Sequence, residues 1–508
     1  MASAAAPEAP SDPQVEARAL PRLVLTHWLV GVLLAAAVVL TYAPILVTPY
    51  AFTDDWMHLA NAMRGGNASI HGFMSSIARG TVTSAYLTSW AFRIAGDLDN
   101  LRFIRAIGVL GIALLANLLY RALVRAGFSP GRSALMAFLL VITPPYQVCA
   151  SWTVSFTVFY SCAATGGAVW LIQRVMAPSA PRRLPTLAGA LMLMMVAVTI
   201  YPVTLMFFVV FAAIDLFRPG PRVSDWNRRV LTYIAMMGTA LVLGFILFKI
   251  GVATHGKWLP PVRRGMTADI PAKLEYFFNV PLHLALHLWR LTDTPYVAPT
   301  VLLLLPPGLF FWFEGSRKRR LLDTALALAL IPGIYLPNLV AEENWGAYRT
   351  QLALAPMVGL LFFLALAGYA RAIRRRWAQT GLTAALVVIT TVASISAINN
   401  LMRYFAEPQM SEIRIVRSRL AGLDLRKLKK LHVIPSSWAV SLNGSIFDEF
   451  GLPSTSQQWS VTGVIYVLSR EKLGHRPRFQ VIPEAFGAKI PKAPGEAVID
   501  LSRLDLYK

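Results

Sequence analysis

Two adjacent carboxylates, Asp54 and Asp55, lie in the stretch TPYAFTDDWMHLA, directly after a long apolar run that begins near Trp28. A carboxylate set against a hydroxyl can take its proton, and a second acid beside it either tunes the first one's pKa or holds a divalent cation. The same residues have a plain structural use as well. Thr53 or Asp54 can cap a short helix lying on a membrane surface and ended by Gly65-Gly66. A cap needs one such residue, however, and the second acid is left without a reason. Acids beside apolar surroundings are costly unless they are paired or used.

The elements that must position this pair follow from composition. The chain has 508 residues, of which 56% are hydrophobic and only 15% charged, with a mean hydropathy of +0.54. Soluble domains carry about a quarter charged residues. Apolar runs of about 18 residues recur, each long enough to cross roughly 30 Å of hydrocarbon. The fold class is therefore a polytopic α-helical membrane protein, because backbone in a bilayer has to bond internally. Candidate spans are 23–46, 103–121, 133–147, 152–173, 185–201, 203–217, 230–252, 297–314, 321–339, 350–370 and 380–400, about eleven crossings.

Basic connections alternate with less basic ones: YRALVRAGFSPGR, QRVMAPSAPRR, FRPGPRVSDWNRR, EGSRKRR and RAIRRRW. The positive-inside rule puts these in the cytoplasm together with the N-terminus, and puts the C-terminus outside. The outer face then carries loops 47–102 and 253–296 and a tail of about a hundred residues, enough for a small domain. In that tail MSEIRIVRSRLAGL and SQQWSVTGVIYVLSR have helical character, while KLHVIP, FQVIP and AVIDLS read as short strands, an α/β domain over 401–508. Residues 1–22 are rich in Ala and Pro, lack the apolar core of a signal peptide, and read as disordered. The net charge of +22 is accounted for by the loops, and no basic–aromatic module points to nucleic acid. Cys149 and Cys162 lie in or beside one apolar stretch and form neither a disulfide framework nor a metal motif.

The DDW after the first span, the long loop it opens, the many spans and the outer tail together resemble the GT-C glycosyltransferases. Within them the chain is most similar to bacterial O-antigen-type glucosyltransferases of the inner membrane. The resemblance covers the topology of the whole chain, while sequence likeness is confined to the TDDW neighbourhood and the loop plan. It implies transfer of a sugar from a polyprenyl-phosphate donor to a cell-surface glycan, with Asp54 as base and Asp55 as its partner, or the reverse order. A cation such as Mg2+ or Mn2+ would then sit on Asp54 and Asp55. Trp56 would offer its face to a sugar ring, or else anchor the segment at the interface.

A leaving phosphate requires cations, and the outer loops offer Lys257, Arg263 and Arg264, then Arg290, and Arg349 at the mouth of a span. Each has an alternative use. Arg349 can pair with Glu342 or Glu343, and the 257–264 cluster can touch lipid headgroups. His283 and His287 share a helical face, but with no third ligand in register they more simply line an amphipathic, membrane-lying stretch. The sequons at Asn67 and Asn443 fall on the outer side. A transporter or flippase is the main rival reading, in which Pro144-Pro145 and Pro306-Pro307 break helices, yet acids and bases inside the spans are scarce. An O-antigen polymerase or ligase is a closer rival, since such enzymes also use Arg-rich outer loops.

Overall fold

The computed structural model describes residues 13–504 apart from 66–69, 178–182, 221–224, 264, 292–293, 438–448, 489, 491–492 and 503. Arg264 and both sequon asparagines, Asn67 and Asn443, therefore lie outside the described residues. The first helix is Pro13–Thr41, so it begins inside the segment expected to be disordered.

The protein is mostly helical and embedded in a membrane through its apolar helices. Among the described residues, six helices are long and apolar enough to cross a bilayer: Leu101–Arg125, Thr153–Met176, Arg183–Ile200, Trp226–Trp258, Leu354–Ala372 and Arg376–Ala421. The pair Pro130–Val141 and Pro144–Ser151, bent by 58°, makes a seventh if it is one span. The expected eleven are not reproduced. The stretches at 23–46, 203–217 and 297–314 form shorter apolar helices, His27–Thr41, Pro202–Leu216 and Val297–Trp312. The 321–339 stretch is interrupted: one helix ends at Gly333 and Leu336–Val340 starts anew with Pro337 in its first turn.

Proline explains the bend. Pro144 has no N–H to continue the ladder and holds Thr143 extended (φ −68°, ψ 156°). The Gln147 side-chain amide donates to the orphaned carbonyl of Ile142 at 2.7 Å. Pro306 and Pro307, expected to break a helix, instead lie inside Val297–Trp312.

The Leu354–Ala372 and Thr153–Met176 helices are buried over most of their length, whereas Trp226–Trp258 and Arg376–Ala421 are not. Val388, Val392 and Ile395 on one, and Leu231, Ile234 and Ile250 on the other, are exposed. Such apolar rows face lipid rather than water. The last of these helices runs on past its apolar part through a π-helical turn, Met402–Ala406, into Glu407–Ala421. It thereby carries the tail away from the bundle.

The tail folds as expected. Strands β1 (Lys430–Ile434), β2 (Gln480–Pro483) and β3 (Glu496–Asp500) form a parallel sheet in the order β2-β1-β3. Leu431 pairs with Val481 on one side and with Ala497 on the other. The helix Gln458–Leu473 crosses from β1 to β2, as parallel pairing requires. That helix packs directly on Asp54–Met63.

Candidate active site

The acid-bearing segment forms the helix Asp54–Met63, which ends at Arg64 ahead of Gly65 (φ 67°). Neither Thr53 nor Asp54 caps it: the Thr53 side chain makes no capping bond, and Asp54 is already in the first helical turn. Thr53 instead has φ 40°, a costly conformation for a β-branched residue and one that collects at functional sites. Its backbone is held from the tail. Thr53 N–H donates to Ser454 Oγ at 3.0 Å, and the Ser460 hydroxyl donates to the Thr53 carbonyl at 3.1 Å.

The two acids have separate work. Asp55 is fully buried. Its Oδ2 accepts from the backbone N–H of Phe52 (3.1 Å) and Thr153 (3.2 Å), and its Oδ1 from that of Val154 (2.9 Å). Burial pushes its pKa up to about 7, outweighing the opposing pull of these N–H groups and of Arg105. Asp54 is partly open, and its Oδ1 accepts the indole N–H of Trp459 at 2.8 Å. Adjacent helical positions point about 100° apart, and both oxygens of Asp55 are engaged with backbone. The pair therefore does not fit a shared Mg2+ or Mn2+ ion.

The floor beneath the pair was not legible in sequence. Arg105, 1% exposed, donates to the carbonyls of Ile45, Thr48 and Tyr50, each at 2.8 Å, and lies 4.1 Å over the Tyr50 ring. It clamps the chain that leaves the first span and leads to Asp54. A second buried acid, Glu412, acts from the tail side. It accepts from Ser454 N–H (2.8 Å), Thr455 N–H (2.7 Å) and the Thr455 hydroxyl (2.6 Å). It fixes the turn that in turn holds Thr53.

Beside Asp54 stand an imidazole and a guanidinium. The Asp54 charge bears on His58 and on Arg79. His58 is held below its usual value, by burial first and then by the Arg79 charge. Arg79 is lowered by burial and by the like charges of Arg263 and Arg349. Arg79 is nonetheless solvent-exposed. The exposed Arg79 and the partly open Asp54 make this a water-accessible basic surface, the candidate cleft.

Of the residues expected from sequence, Arg349 and Arg263 join this cleft. Arg349 pairs with Glu449 at 3.6 Å, and it lies over Trp152 (4.6 Å) and Trp345 (5.1 Å). The partner expected from sequence was Glu342 or Glu343; the tail supplies Glu449 instead, while Glu343 pairs with Arg263 at 2.8 Å. Lys257 is exposed beside Trp258, and Arg290 is exposed beyond Pro281–Leu286. His287 Nδ1 lies 2.8 Å from the His283 carbonyl, a local helical contact. Trp56 is 1% exposed and presents no face to a ligand. An added Cβ on Gly463 would come within 2.7 Å of the Trp56 backbone, so the tail helix closes over it. The exposed indoles at the site are Trp459 (55% exposed) and Trp345 (38%).

The arrangement is a reachable carboxylate, oriented by an indole N–H, in a cleft lined by guanidinium groups. It can accept a proton from a bound hydroxyl while the arginines hold an anion nearby. No protein-family model matches the chain, and no curated protein matches it.

Proposed function

We propose that the protein is a membrane-embedded glycosyltransferase of GT-C type, which moves a sugar from a polyprenyl-phosphate donor to a hydroxyl of a cell-surface glycan. In this reading Asp54 takes the proton of the acceptor hydroxyl as that oxygen bonds to the anomeric carbon. The bond from that carbon to the phosphate oxygen breaks, and the phosphate leaves on its lipid. Arg79 and Arg349 meet the charge of the leaving phosphate. Asp55 and Arg105 are positioning residues, and Trp459 holds the Asp54 carboxylate. In this reading the cleft faces outward from a bacterial inner membrane, and the N-terminus is cytoplasmic. The observation that carries the reading is the division of the acid pair: one carboxylate is consumed by backbone, and the other is partly open with the exposed Arg79 guanidinium within reach of its charge.

The test is the surface polysaccharide of cells carrying the wild type, a deletion, or Asp54→Asn expressed at the wild-type level. Loss of the same sugar substituent in the deletion and in Asp54→Asn is the expected result. A polysaccharide unchanged by the deletion sinks the reading and leaves solute transport as its replacement.

A further inference from the structure

A second charged cavity lies at the opposite end of the bundle. Arg105 in the site floor and Arg125 share one helix and are 20 residues apart, which at 1.5 Å per residue is about 30 Å, the thickness of a hydrocarbon core. There the ends of Leu101–Arg125, Thr153–Met176, Pro202–Leu216 and Trp226–Trp258 border an open cavity of about 370 Å³, lined by Arg121, Arg125, Trp170, Gln173, Asp215 and Arg229, with Arg121 and Arg125 exposed. Leu101–Arg125 stops in a tight reversal: Gly127 N–H donates to the Val124 carbonyl and Phe128 N–H to that of Leu123, with Gly127 at φ 99°. The helix end is therefore a fixed wall.

Charge in this cavity is unbalanced. Its acid, Asp215, is committed to Arg229 at 3.0 Å and to the Tyr233 hydroxyl at 2.8 Å. Arg229 also holds Asp225 at 2.9 Å. Arg121 and Arg174 stand close enough to Arg125 for their charges to repel it; Arg174, exposed and just outside the lining, lies 3.8 Å over the ring of the lining residue Trp170. Among the described residues, no acid pairs with Arg121, Arg125 or Arg174. The negative ends of two helices offset part of that repulsion. They do not supply an anion.

We propose that this cavity binds the phosphate of an anionic phospholipid headgroup. The depth is that of a membrane interface, where an exposed Trp is at home. Basic pockets between membrane helices take anionic headgroups by charge-assisted bonds. The inference does not depend on the reaction proposed above.

The test uses the whole protein in an uncharged detergent. Bound lipid is counted by native mass spectrometry, and the unfolding midpoint is followed with phosphatidylglycerol, phosphatidylcholine or inorganic phosphate. Phosphatidylglycerol is expected to be retained and to raise the midpoint, with neither of the other two doing so. The combined change Arg121→Gln, Arg125→Gln and Arg174→Gln should cut retention by about tenfold or more. If that variant does not fold, Arg125→Gln alone, at the centre of the three charges, carries the same expectation in direction. Arg317→Gln with Lys318→Gln is the control: both are exposed, on a helix whose neighbour ends with Trp312 stacked on Phe128 at 5.6 Å, at this same end. An equal loss in the control means general adsorption and overturns the proposal. A midpoint shift with inorganic phosphate as large as that with phosphatidylglycerol also overturns it, in favour of a soluble anion.

Discussion

Asp54 and Asp55 are neighbours of one type with opposite sensitivities to the same substitution. Asp54→Asn leaves an acceptor for the Trp459 N–H and removes only the base, so turnover is expected to fall about 10²–10⁴-fold with the unfolding midpoint unchanged. Asp55→Asn turns one oxygen into a donor facing a backbone N–H, at Val154 or at the Phe52–Thr153 pair. A buried donor left unmet costs about 1–3 kcal/mol, and thermal unfolding in detergent should register it. The reverse pattern, with Asp55→Asn stable and Asp54→Asn unfolded, would remove the basis for assigning them separate roles. The buried Asp55 carboxyl and the half-buried His58 imidazole also work against each other in pH. His58 is held below its ordinary 6.5, so the folded state binds that proton less readily than the unfolded chain, and stability is lost as pH falls below about 6.5. Asp55 is raised from 3.8 to about 7, so its effect has the other sign: stability rises as pH falls through 7 towards 4. His58→Gln should therefore gain midpoint between pH 7 and 5.5 more steeply than the wild type. Parallel curves for the two proteins would refute the burial of His58.

At the scale of elements, the site depends on how the Gln458–Leu473 helix sits on Asp54–Met63. Gly463 is the point of closest approach, and alanine is intrinsically the better helix former by about 1 kcal/mol. Gly463→Ala is nonetheless expected to destabilise by about 1–3 kcal/mol, because the new Cβ meets rigid backbone at Trp56. It should also lower turnover by moving Trp459 from Asp54. Trp459→Phe separates the two effects: the helix stays docked, and loss of one charge-assisted bond should cost about tenfold in turnover. Equal midpoints for Gly463→Ala and the wild type would show that the helix is not pressed on the site as described. The elements themselves were legible, since KLHVIP, FQVIP, AVIDLS and both tail helices carry their periods in the sequence. Their docking was not, because Thr53 and Ser454 are 401 positions apart and no local pattern encodes that bond. The same holds for Arg105, which reads as an ordinary charge near a span end until its three carbonyl partners are in place. The burial of Trp56 is hidden for a related reason, since a Trp beside an acid looks the same in sequence whether it faces a ligand, the interface or the core.

For the whole molecule, composition made the membrane class plain, while the number of crossings was harder to read. Hydropathy does not register where Pro144 bends a run or Pro337 restarts one, so apolar stretches outnumber full-length helices. The two charged regions nevertheless sit at opposite ends of one helix, about 30 Å apart, and a bilayer between them fixes their sides jointly. The tail must then share a side with Asp54, since Trp459, Ser454 and Glu449 all reach that cleft. The helix from Arg376 carries the chain across immediately before the tail, which makes the orientation testable with little disturbance to the fold. Reporters fused after Arg376 and after Lys508 should read opposite sides of the membrane, cytoplasmic for the first and external for the second. Both on one side would mean that the Arg376–Leu401 segment does not cross, and the cleft could not be joined to the tail through it. Opposite sides in the inverted sense would keep the architecture and move the cleft to the cytoplasm, where the proposed transfer to a surface glycan would have no acceptor.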